Sequence, residues 1–214
     1  MTGKTENTGT RMKGEERRMQ ILEVAISLFA KQGFSGTTTK RIAEAAGVSE
    51  ATVFKHFATK VELYHAILDL KACEGGMKTL PWEDPKIQDA IERSDDFEVF
   101  FTLAKVALEN QQEDIDFMKL LFHSAFEKHE LADMFFAGFV SQIYEFMGSY
   151  IRRRQKEGAM RSVDPKLAMR AFMGMLIHHS MNNILWDQGR RILDISNEEA
   201  ADEFASILLN GIKR

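Results

Sequence analysis

Apolar residues recur every three to four positions along almost the whole chain, and this spacing limits the fold more than any other feature of the sequence. Residues three or four apart share one face of an α-helix, whereas a half-buried strand needs an apolar residue at every second position. The 214 residues include only three prolines, which would break helices. The sequence therefore predicts an all-α protein.

Helix-capping residues and glycines divide this pattern into segments. From these signals we predict about nine helices. They span about 14–32, 39–46, 50–57, 60–74, 94–110, 113–128, 130–157, 164–187 and 196–210. Gly33, Gly47 and Gly158 are expected to end helices, and the residues between Gly75 and Pro85 are expected to form an irregular link.

The composition is that of a globular protein with a sizeable core, because 44% of the residues are hydrophobic and 28% are charged. Cys73 is the single cysteine, so no intramolecular disulfide forms and a reducing cytoplasm is the expected location. Residues 1–12 lack the apolar core of a secretory signal, and we expect a disordered tail there. The longest uncharged apolar stretch, 171–186, is shorter than the ~18–20 residues of a membrane span, so we predict no membrane segment.

The net charge of −4 is unevenly distributed along the chain. Residues 1–65 contain ten Lys and Arg against seven Asp and Glu, an excess of three positive charges. The rest of the chain contains eighteen against twenty-five, an excess of seven negative charges. Any nucleic-acid site is therefore expected near the N-terminus, although an excess of three charges also arises by chance.

Two short predicted helices meet across Gly47-Val48-Ser49. Thr38 can cap the first helix and Ser49 the second, while Gly47 lets the backbone turn. A helix-turn-helix has this pattern, and its second helix enters the ~12 Å major groove of DNA with its N-terminal polar side chains. An ordinary helical hairpin can contain the same turn, so the turn alone leaves both interpretations open.

A longer set of strings carries a resemblance to a known family. These are Gly33-Phe34, the run TTTKRIAEAAGVS over 37–49, TVFKHF over 52–57 and KVEL over 60–63. With them, residues 21–63 closely resemble the N-terminal domain of the TetR family of bacterial transcription regulators. The resemblance implies a three-helix DNA-binding domain followed by a C-terminal helical bundle that binds an effector and dimerises.

By this resemblance we divide the chain into a tail (1–12), a helix-turn-helix DNA-binding domain (13–60) and an effector-binding and dimerisation domain (61–214). The expected partners are double-stranded DNA with a palindromic operator, a small-molecule effector and a second copy of the chain. Repression, with release of the operator by the effector, is what the family implies. For the remaining 150 or so residues, the resemblance implies the architecture but does not identify the ligand.

The resemblance also implies which residues face DNA. At the matched positions these are Thr38, Thr39, Lys40, Glu50, Ala51, Thr52, Phe54, His56 and Lys60. The basic and hydroxyl side chains suit phosphate oxygens, whereas Glu50, Ala51 and Thr52 can meet base edges. Glu50 can accept from cytosine N4, or it can simply be a solvated acid at a helix N-terminus. Phe54 replaces the family's usual Tyr and so removes one possible hydrogen bond to phosphate.

The predicted helix 164–187 is apolar on two faces, so it must be buried on both. Its own domain can cover one face, and a partner in the family's two-fold dimer of the last two helices would cover the other. A central helix enclosed within one monomer is the alternative. The residues expected at the dimer interface are Met181, Leu185, Phe204 and Leu208.

Phenylalanine and methionine crowd the middle helices, with sixteen and twelve in the chain. Most of them must form core, but such side chains also suit a cavity that adapts to an apolar or aromatic effector. The expected lining is Phe101, Phe122, Phe126, Tyr144, Met175 and His179. We expect helix 60–74 to be the only continuous element joining the two domains, so that an effector acts by displacing it and changing the spacing of the recognition helices.

An enzyme or metal protein is the rival class, with His123, Glu127, His129, His178 and His179 as candidates. No His-Glu-x-x-His string, cysteine pair, nucleophile motif or glycine-rich phosphate loop accompanies them, so we expect no catalysis, cofactor or metal. A further alternative is a DNA-binding dimer that responds to a protein partner or to nothing. A filled effector domain would favour that alternative.

Overall fold

The computed structural model describes residues 8–73, 83–128 and 130–213. Regular structure in these ranges is helical, apart from one antiparallel bridge between Met160 and Lys213. The all-α prediction is confirmed. The helices are α1 (Thr8–Gly36), α2 (Thr39–Ala45), α3 (Glu50–His56), α4 (Lys60–Cys73), α5 (Pro85–Glu92), α6 (Asp96–Glu113), α7 (Ile115–Phe126), α8 (Glu130–Phe135), α9 (Ser141–Lys156), α10 (Pro165–Met181) and α11 (Asn197–Ile212).

Two π-helical turns extend this set. Phe136–Val140 joins α8 to α9 without a break, and Asn182–Trp186 continues α10. The continuous segments 130–156 and 165–186 therefore correspond to two helices that the sequence predicts. None of the helices in the described ranges is long and apolar enough to cross a membrane.

The helix ends agree with the capping signals in most places. Gly47 and Gly158 have positive φ after α2 and α9, and Gly33 interrupts α1 at φ 70°. Ser196 and Glu199 form the expected capping box of α11. α1 begins at Thr8, within the segment for which the composition predicts a tail, and residues 1–7 lie outside the described residues.

Helix α5 is the element that the sequence analysis did not predict. The Asp84 side chain accepts from Lys86 N at 2.8 Å, and Pro85 occupies the first helical turn, where its missing N–H costs nothing. Pro85 therefore starts a helix here, although the sequence analysis placed it in an irregular link. The rest of that link, 75–82, lies outside the described residues.

The chain forms two compact units. The N-terminal unit contains the described residues of Met1–Cys73 and Asp116–Asp133, and the C-terminal unit contains those of Glu74–Ile115 and Met134–Arg214. The chain thus passes between the units after residues 73, 115 and 133. The expectation that the helix starting at residue 60 is the only continuous connection is wrong, because α7 belongs to the N-terminal unit. The functional division at residue 61 stays a prediction.

The C-terminal unit has a continuous core of buried side chains from α5, α6, α9, α10 and α11. Phe100 and Phe172 meet edge to face at its centre, with ring centroids 5.3 Å apart. Close packing of this kind holds α6, α10 and α11 rigidly against one another.

Candidate DNA-binding site

Helices α2 and α3 form the helix-turn-helix that the sequence predicts. Thr38 Oγ1 accepts from Arg41 N at 3.2 Å, and Ser49 Oγ accepts from Thr52 N at 3.2 Å, so each helix has a side-chain cap. Between them Gly47 has φ 66°, and Val48 N donates to Ala43 O at 2.9 Å. The turn is therefore fixed by its own hydrogen bonds, and α3 starts immediately after it.

Buried side chains pack the two helices against each other and α2 against α1. Ile42 and Ala43 of α2 and Val53 of α3 are buried, and Phe57 closes the layer where α3 ends. Arg18 of α1 lies over the Phe57 ring, with its Cζ 4.9 Å from the centroid. These contacts use the inward sides of α2 and α3, so the opposite sides are left for a ligand as large as DNA.

The outward sides carry the residues for which a DNA contact was expected. Glu50, Ala51 and Phe54 of α3 are exposed, and Thr52 and His56 are half-buried. At the start of α2, Thr38 and Lys40 are exposed and Thr39 is half-buried, and Lys60 at the start of α4 is half-buried. The nine residues therefore lie at accessible positions of the N-terminal unit, and their contact with DNA stays a prediction.

Glu50 has a partner within the motif. Its Oε1 accepts from Thr39 Oγ1 at 2.5 Å, which joins the first residue of α2 to the first residue of α3. This bond gives Glu50 a structural task that the sequence did not indicate. Thr52 is similarly tied, because its hydroxyl lies 2.8 Å from the Ser49 hydroxyl.

Lys60 is also engaged by the protein. Its Nζ donates to Phe34 O at 2.8 Å and to Thr37 O at 3.0 Å, and it lies 3.9 Å from the centroid of the Phe34 ring. Burial lowers the pKa of Lys60, and the charge of Glu127 partly opposes this effect. Two of the three ammonium protons thus stabilise the C-terminal end of α1 and the residue that follows it, and a phosphate contact by Lys60 stays a prediction.

Three other cations are better placed to meet phosphate. Lys40, Arg41 and Lys55 are exposed on α2 and α3, and the described residues provide no carboxylate partner for their side chains. Lys55 and Arg41 belong to the basic surroundings of the motif but are not among the matched family positions. The feature of the sequence that could have identified them as phosphate contacts is their positive charge on the outward side of a short helix.

Glu127 contributes to this unit in a way that sequence reasoning missed. Its Oε2 accepts from Phe34 N at 3.1 Å, and a Cβ on Gly33 would lie 2.4 Å from its Oε1. In α7, which ends one residue before Glu127, Ser124 Oγ lies 3.1 Å from the hydroxyl of Tyr64, and burial raises the pKa of Tyr64 to about 12. Helix α7 is therefore bonded to α4 by Ser124, and the residue that follows α7 is bonded to α1, all within the N-terminal unit.

The candidate metal ligands of the sequence analysis lie apart wherever the structure describes them. Among the residues that the structure describes, no three His, Cys, Asp or Glu side chains are grouped as metal ligands would be. His179 Nε2 lies 3.0 Å from Asn183 Nδ2, and Asn182 Nδ2 donates to His178 O at 2.8 Å. His129 lies outside the described residues.

The C-terminal unit contains a cavity of about 230 Å³. It is lined by residues of α6, α10 and α11, by Ile115 at the start of α7 and by residues after α10. Of the six residues expected to line an effector site, only His179 lines this cavity. Phe126 is 80% exposed, and Phe122 and Phe126 belong to the N-terminal unit. Binding of an effector by Phe101, Phe122, Phe126, Tyr144 and Met175 stays a prediction.

Helix α10 has the two apolar faces that its sequence predicts. Met169, Phe172 and Leu176 are buried in the core, whereas the opposite face is exposed in the single chain. The exposed face includes Leu167, Ala171, Gly174, Ile177 and Leu185. This leaves the face available to a partner, and the enclosed central helix of the alternative interpretation does not occur.

The residues expected at the dimer interface fall into two groups. Leu185 is exposed, and Met181 and Phe204 are half-buried, with the Phe204 ring 5.6 Å from that of His179. Leu208 is only 6% exposed and belongs to the core of its own unit. The correction follows from helix geometry, because Ile207, one residue earlier, is 55% exposed on the other side of α11.

Comparisons with known proteins agree with this geometry. The family pattern "Bacterial regulatory proteins, tetR family" matches residues 21–67, and "AefR-like transcriptional repressor, C-terminal domain" matches residues 100–210. The chain is similar to the uncharacterised HTH-type transcriptional regulator YvkB of Bacillus subtilis (strain 168), with 22% identity over 90% of this chain and 95% of YvkB.

Two further proteins show how the similarity is distributed. The HTH-type transcriptional regulator TtgR of Pseudomonas putida is 43% identical, but over only 28% of this chain and 29% of TtgR. The crystal structure of the TetR-family regulator PfmR from Thermus thermophilus has 26% identity and a TM-score of 0.66, covering 91% of this chain and 99% of PfmR. The second family match alone spans more than half of the 214 residues, so the chain belongs to the TetR family and is a helix-turn-helix transcription regulator, not an enzyme.

Proposed function

We propose that this protein binds a palindromic operator as a homodimer and releases it when a small molecule occupies the C-terminal unit. TetR-family regulators bind DNA operators and small-molecule effectors and are typically dimers. The observation that carries the DNA-binding part is the outward face of the helix-turn-helix, where exposed cations without carboxylate partners lie on α2 and in the last turn of α3. Such a regulator acts in the cytoplasm, where bacterial DNA lies.

The side chains of this face divide between two tasks. Lys40, Arg41 and Lys55 suit phosphate oxygens, which set the position of the protein on the duplex. Ala51, Thr52 and Phe54 are short or apolar enough to meet base edges and thymine methyl groups in the major groove. Since Glu50 is occupied by Thr39, its carboxylate orients α3 on α2 and contributes less to base reading.

The first prediction separates phosphate contact from base reading. Lys55→Ala is expected to weaken binding to all sequences and to reduce the slope of log affinity against log salt by about 0.9, the value for one phosphate contact. Thr52→Ala is expected to change the preferred operator sequence and to leave that slope unchanged. Fluorescence anisotropy with a selected operator between low and high salt measures both.

Lys156→Ala is the matched control, because Lys156 is an exposed lysine of α9 in the C-terminal unit. It should leave both affinity and slope as they are in the wild type. Equal affinity of the wild-type protein for selected and random duplexes at ~150 mM salt would exclude sequence-specific binding, since specific sites are usually bound at least ~10³-fold more tightly.

A dimer is expected because two recognition helices must reach successive major grooves, about 34–36 Å apart. The exposed apolar face of α10 offers a self-complementary surface, with Gly174 and Ala171 allowing close approach of two helices. Ile207 of α11 is a further exposed apolar residue of the same unit.

The second prediction tests this interface. Ile177→Glu combined with Ile207→Glu is expected to raise the dissociation constant of the dimer at least about tenfold, because two charges would be buried against apolar side chains. Sedimentation should then show the monomer mass of 24.4 kDa at concentrations where the wild type is dimeric. Both positions are exposed in the single chain, so the fold should remain.

Ile192→Glu is the control for adding a charge at an exposed apolar residue outside α10 and α11. It should leave the mass in solution unchanged. An unchanged mass in the double variant, with helical content intact, would show that the copies associate elsewhere or not at all.

Release of the operator requires that the effector binds more tightly to one arrangement of the protein than to the other. The chain passes between the units at three points, so a change in the C-terminal unit can reach the N-terminal unit through α7 as well as through α4. The bonds from Ser124 of α7 to Tyr64, and from Glu127 just after α7 to Phe34, make α7 part of the DNA-binding body. A coupling of about 1–3 kcal/mol is usual for such systems.

A further inference from the structure

The cavity of the C-terminal unit is lined by both apolar and polar residues. Leu108 of α6, Ile115 at the start of α7 and Ile184 after α10 supply hydrocarbon surface. His179, Ser180, Asn183 and Arg190 supply hydrogen-bonding groups. Gln112, Ile115 and Gln188 are exposed, so the cavity opens to solvent. Its volume of about 230 Å³ leaves room for a small ligand.

Arg190 has an unused binding edge. Its Nη1 donates to Ile195 O at 3.0 Å and lies 3.8 Å from Asp194 Oδ1. Within the described part of the chain, no oxygen accepts from its Nε or Nη2. These two nitrogens carry parallel N–H bonds on one edge of the guanidinium, and this arrangement matches the two oxygens of a carboxylate.

The other polar groups favour a ligand that accepts hydrogen bonds. Ser180 is buried, and none of the residues that the structure describes is hydrogen-bonded to its hydroxyl. Burial, and then the charges of Arg190 and His178, lower the pKa of His179. A neutral His179 presents no second cation, and the described lining includes no Asp or Glu to repel an anion.

We propose that this cavity binds a small organic carboxylate, with its carboxyl group on the Nε–Nη2 edge of Arg190 and its hydrocarbon part against Leu108, Ile115 and Ile184. Ser180 and Asn183 orient the carboxyl group by further hydrogen bonds. The proposal names the chemical class of the effector and rests on the proposed function only for the effect of the ligand on DNA. It replaces the purely apolar or aromatic effector expected from the Phe and Met content.

The local structure of the segment after α10 prepares Arg190 for this ligand. The carboxylate of Asp187 accepts from Arg191 N and Ile192 N, both at 2.8 Å, and these backbone hydrogen bonds hold the pKa of Asp187 below its usual value. Arg190 adopts a positive φ of 49° within this turn. A turn fixed in this way holds the backbone of Arg190 in place before the ligand arrives, which lowers the entropy cost of binding.

The test compares carboxylates with neutral analogues of the same shape. Benzoate and hexanoate are titrated calorimetrically into the full-length protein at constant ionic strength, beside benzamide and hexanamide. Each carboxylate is expected to bind at least about tenfold more tightly than its amide, because charge-assisted hydrogen bonds are about twice as strong as neutral ones. Equal affinity for acid and amide, or no binding of either acid, overturns the proposal.

Two variants of adjacent arginines localise the effect. Arg190→Gln is expected to weaken carboxylate binding by about 10- to 100-fold, the usual range for loss of a charged hydrogen-bonding partner. Arg191→Gln should bind as the wild type does, because the Arg191 side chain is 84% exposed and does not line the cavity. An equal loss in both variants would show that the carboxylates respond to general positive charge and would overturn the site.

A third variant covers the possibility that Arg190→Gln disturbs the turn through its bond to Ile195. Ser180→Ala leaves Arg190 in place and is expected to reduce carboxylate affinity several-fold, while unchanged affinity would overturn the role of Ser180. Operator binding is measured in the same samples. Carboxylate binding that depends on Arg190 but leaves operator affinity unchanged would contradict the release mechanism and keep the carboxylate site. Operator binding by a protein that binds no carboxylate would contradict the carboxylate site and keep the DNA-binding function.

Discussion

Replacing Asp96 by alanine is expected to lower the free energy of unfolding of the C-terminal unit by about 3–5 kcal/mol, the usual result of breaking a buried ion pair. Asp96 is buried at the start of α6, where its Oδ1 accepts from Tyr150 Oη at 2.6 Å and from Arg154 Nε at 2.8 Å. Alanine would leave the Tyr150 hydroxyl without its acceptor, and Arg154 would lose its buried carboxylate partner and keep only the exposed Glu157 on its Nη1. Burial and the hydrogen bond to Asp96 raise the pKa of Tyr150, so Tyr150 keeps its proton at neutral pH and donates it.

Asp89→Ala is the matched control, because Asp89 forms an Asp–Arg pair of the same kind on the surface. Its Oδ2 lies 2.9 Å from Arg93 Nη2, and both side chains are more than half exposed. Such pairs usually contribute less than ~1 kcal/mol. Urea denaturation followed by circular dichroism measures both losses. Similar losses for the two variants would show that burial of the Asp96 pair has no energetic consequence.

Gly33→Ala is expected to destabilise the N-terminal unit by about 2–4 kcal/mol, from backbone strain and a lost hydrogen bond. Gly33 has φ 70° and ψ 176°, a region that side-chain-bearing residues almost never adopt. Its added Cβ would also lie 2.4 Å from Glu127 Oε1, so Glu127 would have to move away from Phe34 N. The result should be weaker operator binding as well as easier unfolding.

Two further variants separate these causes. Gly33→Ala with Glu127→Ala removes the clash but keeps the strain, so the loss should be smaller than the sum of the two single losses. Gly14→Ala makes the same change in the same helix, where nothing lies within 4 Å of the new Cβ, and it should stabilise by about 0.5–1 kcal/mol. Strict additivity of the first pair would show that Gly33 and Glu127 do not interact.

The helix-turn-helix could be predicted from the sequence because its signals act within a few residues. Thr38 and Ser49 cap helices that begin at the next residue, and Gly47 turns the chain between them. The same kind of signal existed for α5 at Asp84 and Pro85, where it was interpreted as a break. Hydrophobic periodicity likewise predicted that α10 has two apolar faces.

Hydrophobic periodicity could not predict which residues are exposed where the buried and the exposed sides of a helix meet. Leu208 and Ile207 are adjacent and equally apolar, but one lies in the core and the other is exposed. The difference depends on the rotation of α11 against α6 and α10. It is fixed by packing over the whole unit and not by any local signal.

The sequence by itself thus determined the helices, the recognition motif and the family, because caps, turns and periodicity act along a few neighbouring residues. Only the tertiary structure decided that Glu127 bonds to Phe34 across 93 positions and that Asp96 pairs with Arg154 across 58. It also placed Arg190 beside His179 in a cavity otherwise lined by the Ser180 hydroxyl, amides and aliphatic side chains. Pairings over such distances depend on how whole helices pack, and packing selects among many partners of the same residue type.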